Sequence, residues 1–134
     1  MHTIEKGDLS VAMIIATFLK KRITVLKPLT ELLRYDLVID RGLGFERIQC
    51  KTGSLRSGVI RFKTCSTTAH HKNSVNTRQS YKGQIEHFAV YCPDNDTCYL
   101  IPVDEVSNTE ASLRIDLPRN KQKAGIRLAS DYVL

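Results

Sequence analysis

The stretch that decides the fold reads Arg34-Tyr35-Asp36-Leu37-Val38-Ile39-Asp40, then Arg41-Gly42-Leu43-Gly44, then Phe45-Glu46-Arg47-Ile48-Gln49-Cys50-Lys51. The apolar run Leu37-Val38-Ile39 and a segment that alternates over Ile48-Gln49-Cys50-Lys51 flank a glycine-containing turn. This predicts an antiparallel hairpin with strands at about 35–40 and 45–52. Side chains alternate along a strand, so Gln49 and Lys51 project to one face while Cys50 turns to the other. The hairpin lays Asp36 beside that pair. A carboxylate, an amide oxygen and an ammonium then converge on one spot, a set suited to Mg²⁺ and a phosphodiester.

Each residue also has a plainer role open to it. Asp36 could serve as a turn or capping acceptor, although Tyr35 and the run Leu37-Val38-Ile39 bury its surroundings, and a buried carboxylate requires a cation or other partner. Gln49 could close an edge hydrogen bond in the sheet. Lys51 could be a solvated surface lysine. The order and hairpin spacing of the three favour chemistry over those separate roles.

Charge is distributed unevenly along the 134 residues. From Arg47 through Ile85 there is no Asp or Glu, while eight Lys or Arg residues and His70-His71 fall in that interval. The remaining twelve basic and fourteen acidic residues balance to −2, so the whole +6 excess lies in the segment following the hairpin. A concentration of positive charge next to the candidate site points to a polyanion, and nucleic acid is the usual one. His70-His71 lack the spacing of a metal pair, and phosphate contact or no ligand at all suits them better.

The rest of the composition bounds the class. The length suits one domain over 1–134 with a real core. No apolar run of about 18 residues is present, so no membrane span is expected. The opening Met-His-Thr-Ile-Glu-Lys-Gly-Asp lacks the pattern of a secretory signal. Cys50, Cys65, Cys92 and Cys98 show no CxxC spacing, which predicts reduced thiols, a cytoplasmic setting and neither zinc nor disulfides. No organic cofactor is indicated.

Periodicity predicts a helix over 7–21, apolar nearly all round and therefore packed on more than one side, with Asp8 at its start. Short strands are expected at 24–26, 58–65, 86–92 and 97–102, the last two joined by Pro93-Asp94-Asn95-Asp96. Ser66 to Lys82 reads as a polar, irregular interval able to order as a hairpin on DNA. A helical turn is expected at 103–106, an edge strand at 113–117, and a basic tail from Lys123 to Leu134. The class is α/β, a mixed central sheet flanked by helices.

Several of these segments together carry a resemblance. Lys6-Gly7-Asp8, Arg34-Tyr35-Asp36-Leu37-Val38, Gln49-Cys50-Lys51-Thr52-Gly53, Tyr81-Lys82-Gly83-Gln84-Ile85 and Phe88-Ala89-Val90-Tyr91-Cys92 resemble the group I intron PD-(D/E)xK homing endonucleases, in particular the cyanobacterial transfer-RNA intron type. The likeness runs from Lys6 to about Tyr132. It implies a core shared with restriction enzymes and junction resolvases, Mg²⁺ at the strand hairpin, and Gln49 in place of the Glu of the motif. It further implies that Asp36, Gln49 and the carbonyl of Cys50 hold the metal and that Lys51 stabilises the reacting phosphate. A homodimer or homotetramer is implied too, because cutting both strands requires more than one active site.

One position departs from the pattern. Enzymes of this resolvase-like branch usually carry an acid four residues after the Gly of Lys-Gly, and that position is Val11 here. Asp8, one helical turn earlier, either ligates the metal in its stead or caps the helix. Other outcomes are a site working with fewer acids and a catalytically weakened protein.

DNA contacts are expected along about 54–82. Arg56, Arg61 and Lys63 suit a strand bordering the cleft, with Lys82 closing the segment. Lys72, Asn73, Asn76, Arg78 and Gln79 are able to read purine edges in a major groove. Together these features point to a site-specific, Mg²⁺-dependent double-strand DNA endonuclease. Its rivals are a structure-selective, junction-resolvase-like nuclease, a DNA-binding protein with weakened catalysis, and an RNA-binding splicing factor, the last disfavoured by the scarcity of aromatics.

Overall fold

In the computed structural model, residues 1–69, 76–116 and 126–134 are described, and of 67–69 and 76–78 the backbone alone. Lys72, Asn73 and the His70-His71 pair lie outside the described residues, as do 117–125.

The chain opens on α1, Thr3–Lys20. Its start lies four residues before the predicted one because His2 is the N-cap. The His2 Nδ1 accepts from the Ile4 N–H at 3.2 Å, and the Glu5 carboxylate accepts from the His2 N–H at 3.1 Å. This reciprocal pair satisfies two donors that the helix itself cannot. Asp8 therefore sits in the second turn and caps nothing. The helix is also not packed all round. Ser10, Ile14 and Phe18, four residues apart, form its one buried stripe, while Leu9 and Leu19 are exposed.

Among the described residues ten strands follow: β1 Thr24–Leu26, β2 Leu37–Asp40, β3 Phe45–Thr52, β4 Ser54–Arg56, β5 Val59–Lys63, β6 Cys65–Ala69, β7 Asn76–Ser80, β8 His87–Cys92, β9 Thr97–Pro102 and β10 Glu110–Arg114. The central sheet has the order β1-β2-β3-β8-β9, with β3 and β8 parallel and the other pairs antiparallel. It is a mixed sheet of the α/β class. Among the described residues it carries one α-helix, with 3₁₀ turns at Val103–Glu105 and Ala129–Asp131, rather than the flanking helices expected.

Strand β8, between β3 and β9, is buried on both faces. Ala89 and Tyr91 join Ile14, Phe18, Leu37, Ile39, Ile48 and Cys50 beneath α1. Phe88, Val90 and Cys92 face the other way, toward Ile60, Phe62 and Leu113. Those last residues come from a second sheet, β10-β5-β4, laid over the first. Full burial of a side chain such as Phe88 or Phe18 contributes about 1.5–3 kcal/mol.

Three segment boundaries differ from expectation. Gly58 belongs to a two-residue turn with Ser57, both at positive φ (+75° and +50°), which joins β4 to β5 as a tight hairpin. The predicted strand over 58–65 also breaks at Thr64. The buried Thr64 turns its N–H to the Thr109 carbonyl and its hydroxyl to the Ser107 carbonyl, redirecting the chain into β6. The polar interval is a two-stranded ribbon, β6 against β7 in register Cys65↔Ser80 to Ala69↔Asn76. Cys65 on its first rung is buried, which ties the root of the ribbon to the rest of the fold. The edge strand predicted at 113–117 is β10, three residues earlier, where Ala111 and Leu113 find the core. The final residues return to β9, with the Leu100 N–H donating to the Tyr132 carbonyl and the Leu134 N–H to Cys98.

Candidate active site

Asp36 stands one residue ahead of β2. Its N–H donates to the Ile48 carbonyl at 2.9 Å, and continuing the Leu37↔Ile48 register sets it opposite Gln49. Its Oδ2 accepts the N–H of Cys50 at 3.0 Å. The backbone of β3 thereby holds the carboxylate of the neighbouring strand. Burial pushes the Asp36 carboxyl above its ordinary pKa, opposed by the Cys50 N–H and by the charges of Lys51 and Lys27.

Gln49 and Lys51 share the face of β3 opposite to α1, since the intervening Cys50 lies in the core beneath that helix. Gln49 is half-buried, paired in parallel register with Phe88. The Lys51 ammonium reaches the Cys65 carbonyl and the Tyr81 hydroxyl, each at 3.5 Å. Burial pushes its pKa down; Asp36 opposes that shift, while Arg34 and Lys63 add to it. Asp36 and Lys51 feel each other's charge but form no ion pair, and each lines a different cleft.

Two clefts adjoin this junction. One, of about 400 Å³, is lined by Asp36 and Lys27 and by Asp8, Val11, Ala12 and Ile15 of α1. Val11 occupies the wall where an acid was expected, and the exposed Asp8 lines the same cleft one turn away. The other, of about 380 Å³, is lined by Lys51, Thr52, Ser54, Arg61, Phe62, Lys63 and Glu110. The Ser10 hydroxyl bonds that of Thr52 at 2.6 Å, fastening α1 to the strand end that bears Lys51.

Arg61 and Lys63, two apart on β5, border the second cleft together, and Arg61 lies 3.8 Å from Glu110. Arg56 is exposed on β4. Lys82 is exposed just beyond the ribbon. Asn76, Arg78 and Gln79 fall on β7. The Gln79 side-chain oxygen meets Arg34 at 3.5 Å, so it is not wholly available to a base edge.

The desolvated Asp36 carboxylate and, across the cleft, Asp8 are oxygen donors of the kind a hard divalent cation takes; Cys50 adjoins Asp36 through its N–H, and Gln49 is not among the residues lining either cleft. Among the described residues no three His, Cys, Asp or Glu side chains cluster as metal ligands. Mg²⁺ does not demand such a cluster, because it retains several waters and binds through one or two carboxylates.

Lys27, Arg34 and Tyr81 carry no individual role in the sequence pattern, yet they stand beside Asp36 and Lys51. Arg34 and Tyr81 both sit within motifs already singled out, two residues before Asp36 and at the head of Tyr-Lys-Gly. What gives them importance is their meeting across 47 positions of chain, which no local pattern encodes.

A family model described as PD-(D/E)XK endonuclease matches residues 1–134. Among solved structures, a bacterial homing endonuclease, I-Ssp6803I, is similar with a TM-score of 0.79 and 26% identity, covering 99% of this chain and 89% of its own. No curated protein matches the sequence. No helix among the described residues is long and apolar enough to cross a membrane.

Proposed function

The chain belongs to the PD-(D/E)XK endonuclease family, and from that footing we propose that it is a Mg²⁺-dependent, site-specific double-strand DNA endonuclease of homing type. In this reading it is an intron-encoded enzyme of the Q-x-K variety, with Gln49 in place of the acid. The whole chain acts as one nuclease domain, assembled as a homodimer or homotetramer. The observation that carries the reading is the Asp36 carboxylate, held by the Cys50 N–H at the strand junction that also bears Gln49 and Lys51.

Asp36, Gln49 and the Cys50 carbonyl would hold the metal, with Asp8 as a further oxygen donor. When bound, the ion neutralises the phosphate's non-bridging oxygens and lowers the pKa of a water. The remaining work falls to the chain. Lys51 offers its ammonium to the phosphoryl oxygens as negative charge grows on them. Hydrolysis adds a water oxygen to phosphorus and expels one ester oxygen, which leaves with a proton. Arg61 and Lys63 line the approach beside Lys51 and attract the strand electrostatically. Arg56, Lys82 and the ribbon strands, including Asn76, Arg78 and Gln79, present the target-contacting surface, together with Lys72 and Asn73 between them. A two-stranded ribbon has the dimensions to enter a major groove.

A second reading is favoured by one observation: Val11 lines the Asp36 cleft. A valine cannot ligate a metal or orient its water, and a DNA-binding protein with weakened cleavage would look like this. One experiment separates the readings. The protein is incubated with a random-sequence duplex library and Mg²⁺, and the new ends are sequenced. Homing-type activity yields a consensus at the ends. Binding without Mg²⁺-dependent ends favours the weakened binder, and cutting that follows branched structure rather than sequence favours the resolvase-like alternative.

A further inference from the structure

Two cations share one aromatic ring beside the site. The Arg34 guanidinium lies 3.9 Å from the Tyr81 ring centroid, and the Lys51 ammonium lies 4.9 Å from it. Tyr81 is buried and packs edge-on against Phe88, with centroids 5.5 Å apart, so the ring is fixed by the core. Its π-face attracts both positive groups and lets them stand near each other.

Arg34 directs its donors to the root of the ribbon. Nε donates to Gln84 Oε1 at 2.6 Å and Nη1 to Ser66 Oγ at 2.6 Å. Nη2 donates to the carbonyls of Gln79 and Ser80 at 3.2 and 3.0 Å. Lys51 reaches the carbonyl of Cys65. Cys65, Ser66, Gln79 and Ser80 are the first two rungs of the β6–β7 ladder. Both cations therefore grip the same end of the ribbon, one from the residue two before Asp36, the other from β3. No carboxylate forms an ion pair with Arg34 among the described residues. Its fork is matched instead to neutral acceptors at fixed angles, a geometry that a lysine cannot reproduce.

We infer that Arg34 and Tyr81 are positioning residues that lock the Lys51 ammonium to the root of the β6–β7 ribbon, so that DNA seated on the ribbon arrives with its phosphate in register with Lys51. This rests on the nuclease reading above for the role of Lys51, but the coupling itself is a property of the folded chain.

The test has two arms. In the first, Arg34→Lys, Tyr81→Leu and Tyr81→Phe are compared on a duplex recovered by wild-type cleavage from the random library. Single-turnover cleavage at saturating DNA falls at least tenfold in Arg34→Lys and Tyr81→Leu, while affinity measured with calcium in place of magnesium stays within threefold. Tyr81→Phe recovers most of the loss, because the ring face meets both cations, while the hydroxyl reaches Lys51 only at a long 3.5 Å. Cleavage within twofold of wild type in Arg34→Lys overturns the inference. So does an affinity loss equal to the rate loss, which would mark Arg34 as a simple DNA contact. In the second arm, NMR of DNA-free protein at one pH follows the Lys51 Cε protons, which the Tyr81 ring shifts upfield. That shift collapses in Tyr81→Leu and shrinks in Arg34→Lys. If it is unchanged in Arg34→Lys, the coupling is absent whatever the protein does to DNA. If wild type cuts nothing but the shift behaves as stated, the nuclease reading fails and the coupling stands.

Discussion

The backbone N–H of Cys50 donates to Oδ2 of Asp36 at 3.0 Å, so the carboxylate is oriented by main chain rather than by a side chain that a point substitution could remove. Substitutions elsewhere in the site thus leave its aim intact. Asp36→Asn and Lys51→Ala should each lower Mg²⁺-dependent cleavage by about 10²–10³, with DNA affinity in calcium within a few-fold. Asp36→Ala should in addition weaken Mg²⁺ binding measured by calorimetry. Unchanged cleavage in Lys51→Ala would remove its assigned role.

Val11→Glu adds a carboxylate to the cleft that Asp36 and Asp8 line. It is expected to tighten Mg²⁺ binding and to raise the single-turnover rate by about tenfold or more, as a second acidic oxygen donor supplies charge to the ion. A rate that stays flat while the variant remains folded shows that the site works with the acids it has.

Glu86 joins the parallel strands at their entry. It accepts the Arg47 N–H at 2.8 Å and forks onto the guanidinium at 2.5–3.1 Å. The side-chain bond to Arg47 is the main cause that holds its carboxyl below the usual pKa. A depressed folded pKa means that the unfolded chain binds the proton more readily, so the stabilisation is complete above the unfolded value and fades as pH falls through the folded one. Glu86→Gln should therefore cost about 1 kcal/mol near neutral pH, less in high salt because the pair is partly exposed. In urea melts its deficit should close below the ordinary glutamate pKa of about 4.3. A deficit constant from pH 7 to 3 would assign the effect to packing instead.

Gly53 follows Lys51-Thr52 where β3 meets the second sheet. A Cβ there would stand 2.9 Å from Ile60 Cγ2 and 3.0 Å from Val90 Cγ1. Gly53→Ala is expected to cost about 1–3 kcal/mol through overpacking, seen as a lowered Tm. A neutral Gly53→Ala would show that the sheets can separate at no cost.

Much of this was legible in residue order. The 35–40/45–52 hairpin, the 86–92/97–102 hairpin and the strand at 24–26 follow from turns and alternation, which act over a few residues and leave a local trace. The helix start was misplaced because His2 is an unusual cap, and the 3.6-residue pattern says nothing of a polar first turn. The interval from Ser66 to Lys82 reads as irregular, able to order as a hairpin on DNA, because its sequence is almost wholly polar and leaves no hydrophobic period to detect.

What residue order determined by itself is the alternation that puts Gln49 and Lys51 on one face and Cys50 on the other, the acid-free basic run, and the valine at position 11. What only the tertiary structure decided is long-range: Asp8 and Val11 facing Asp36 across a cleft, the second sheet lying over β8, and Arg34 with Lys51 meeting at Tyr81. The physical reason is that alternation is set by the backbone geometry of a single strand, whereas those meetings depend on how separate elements bury their apolar faces against one another.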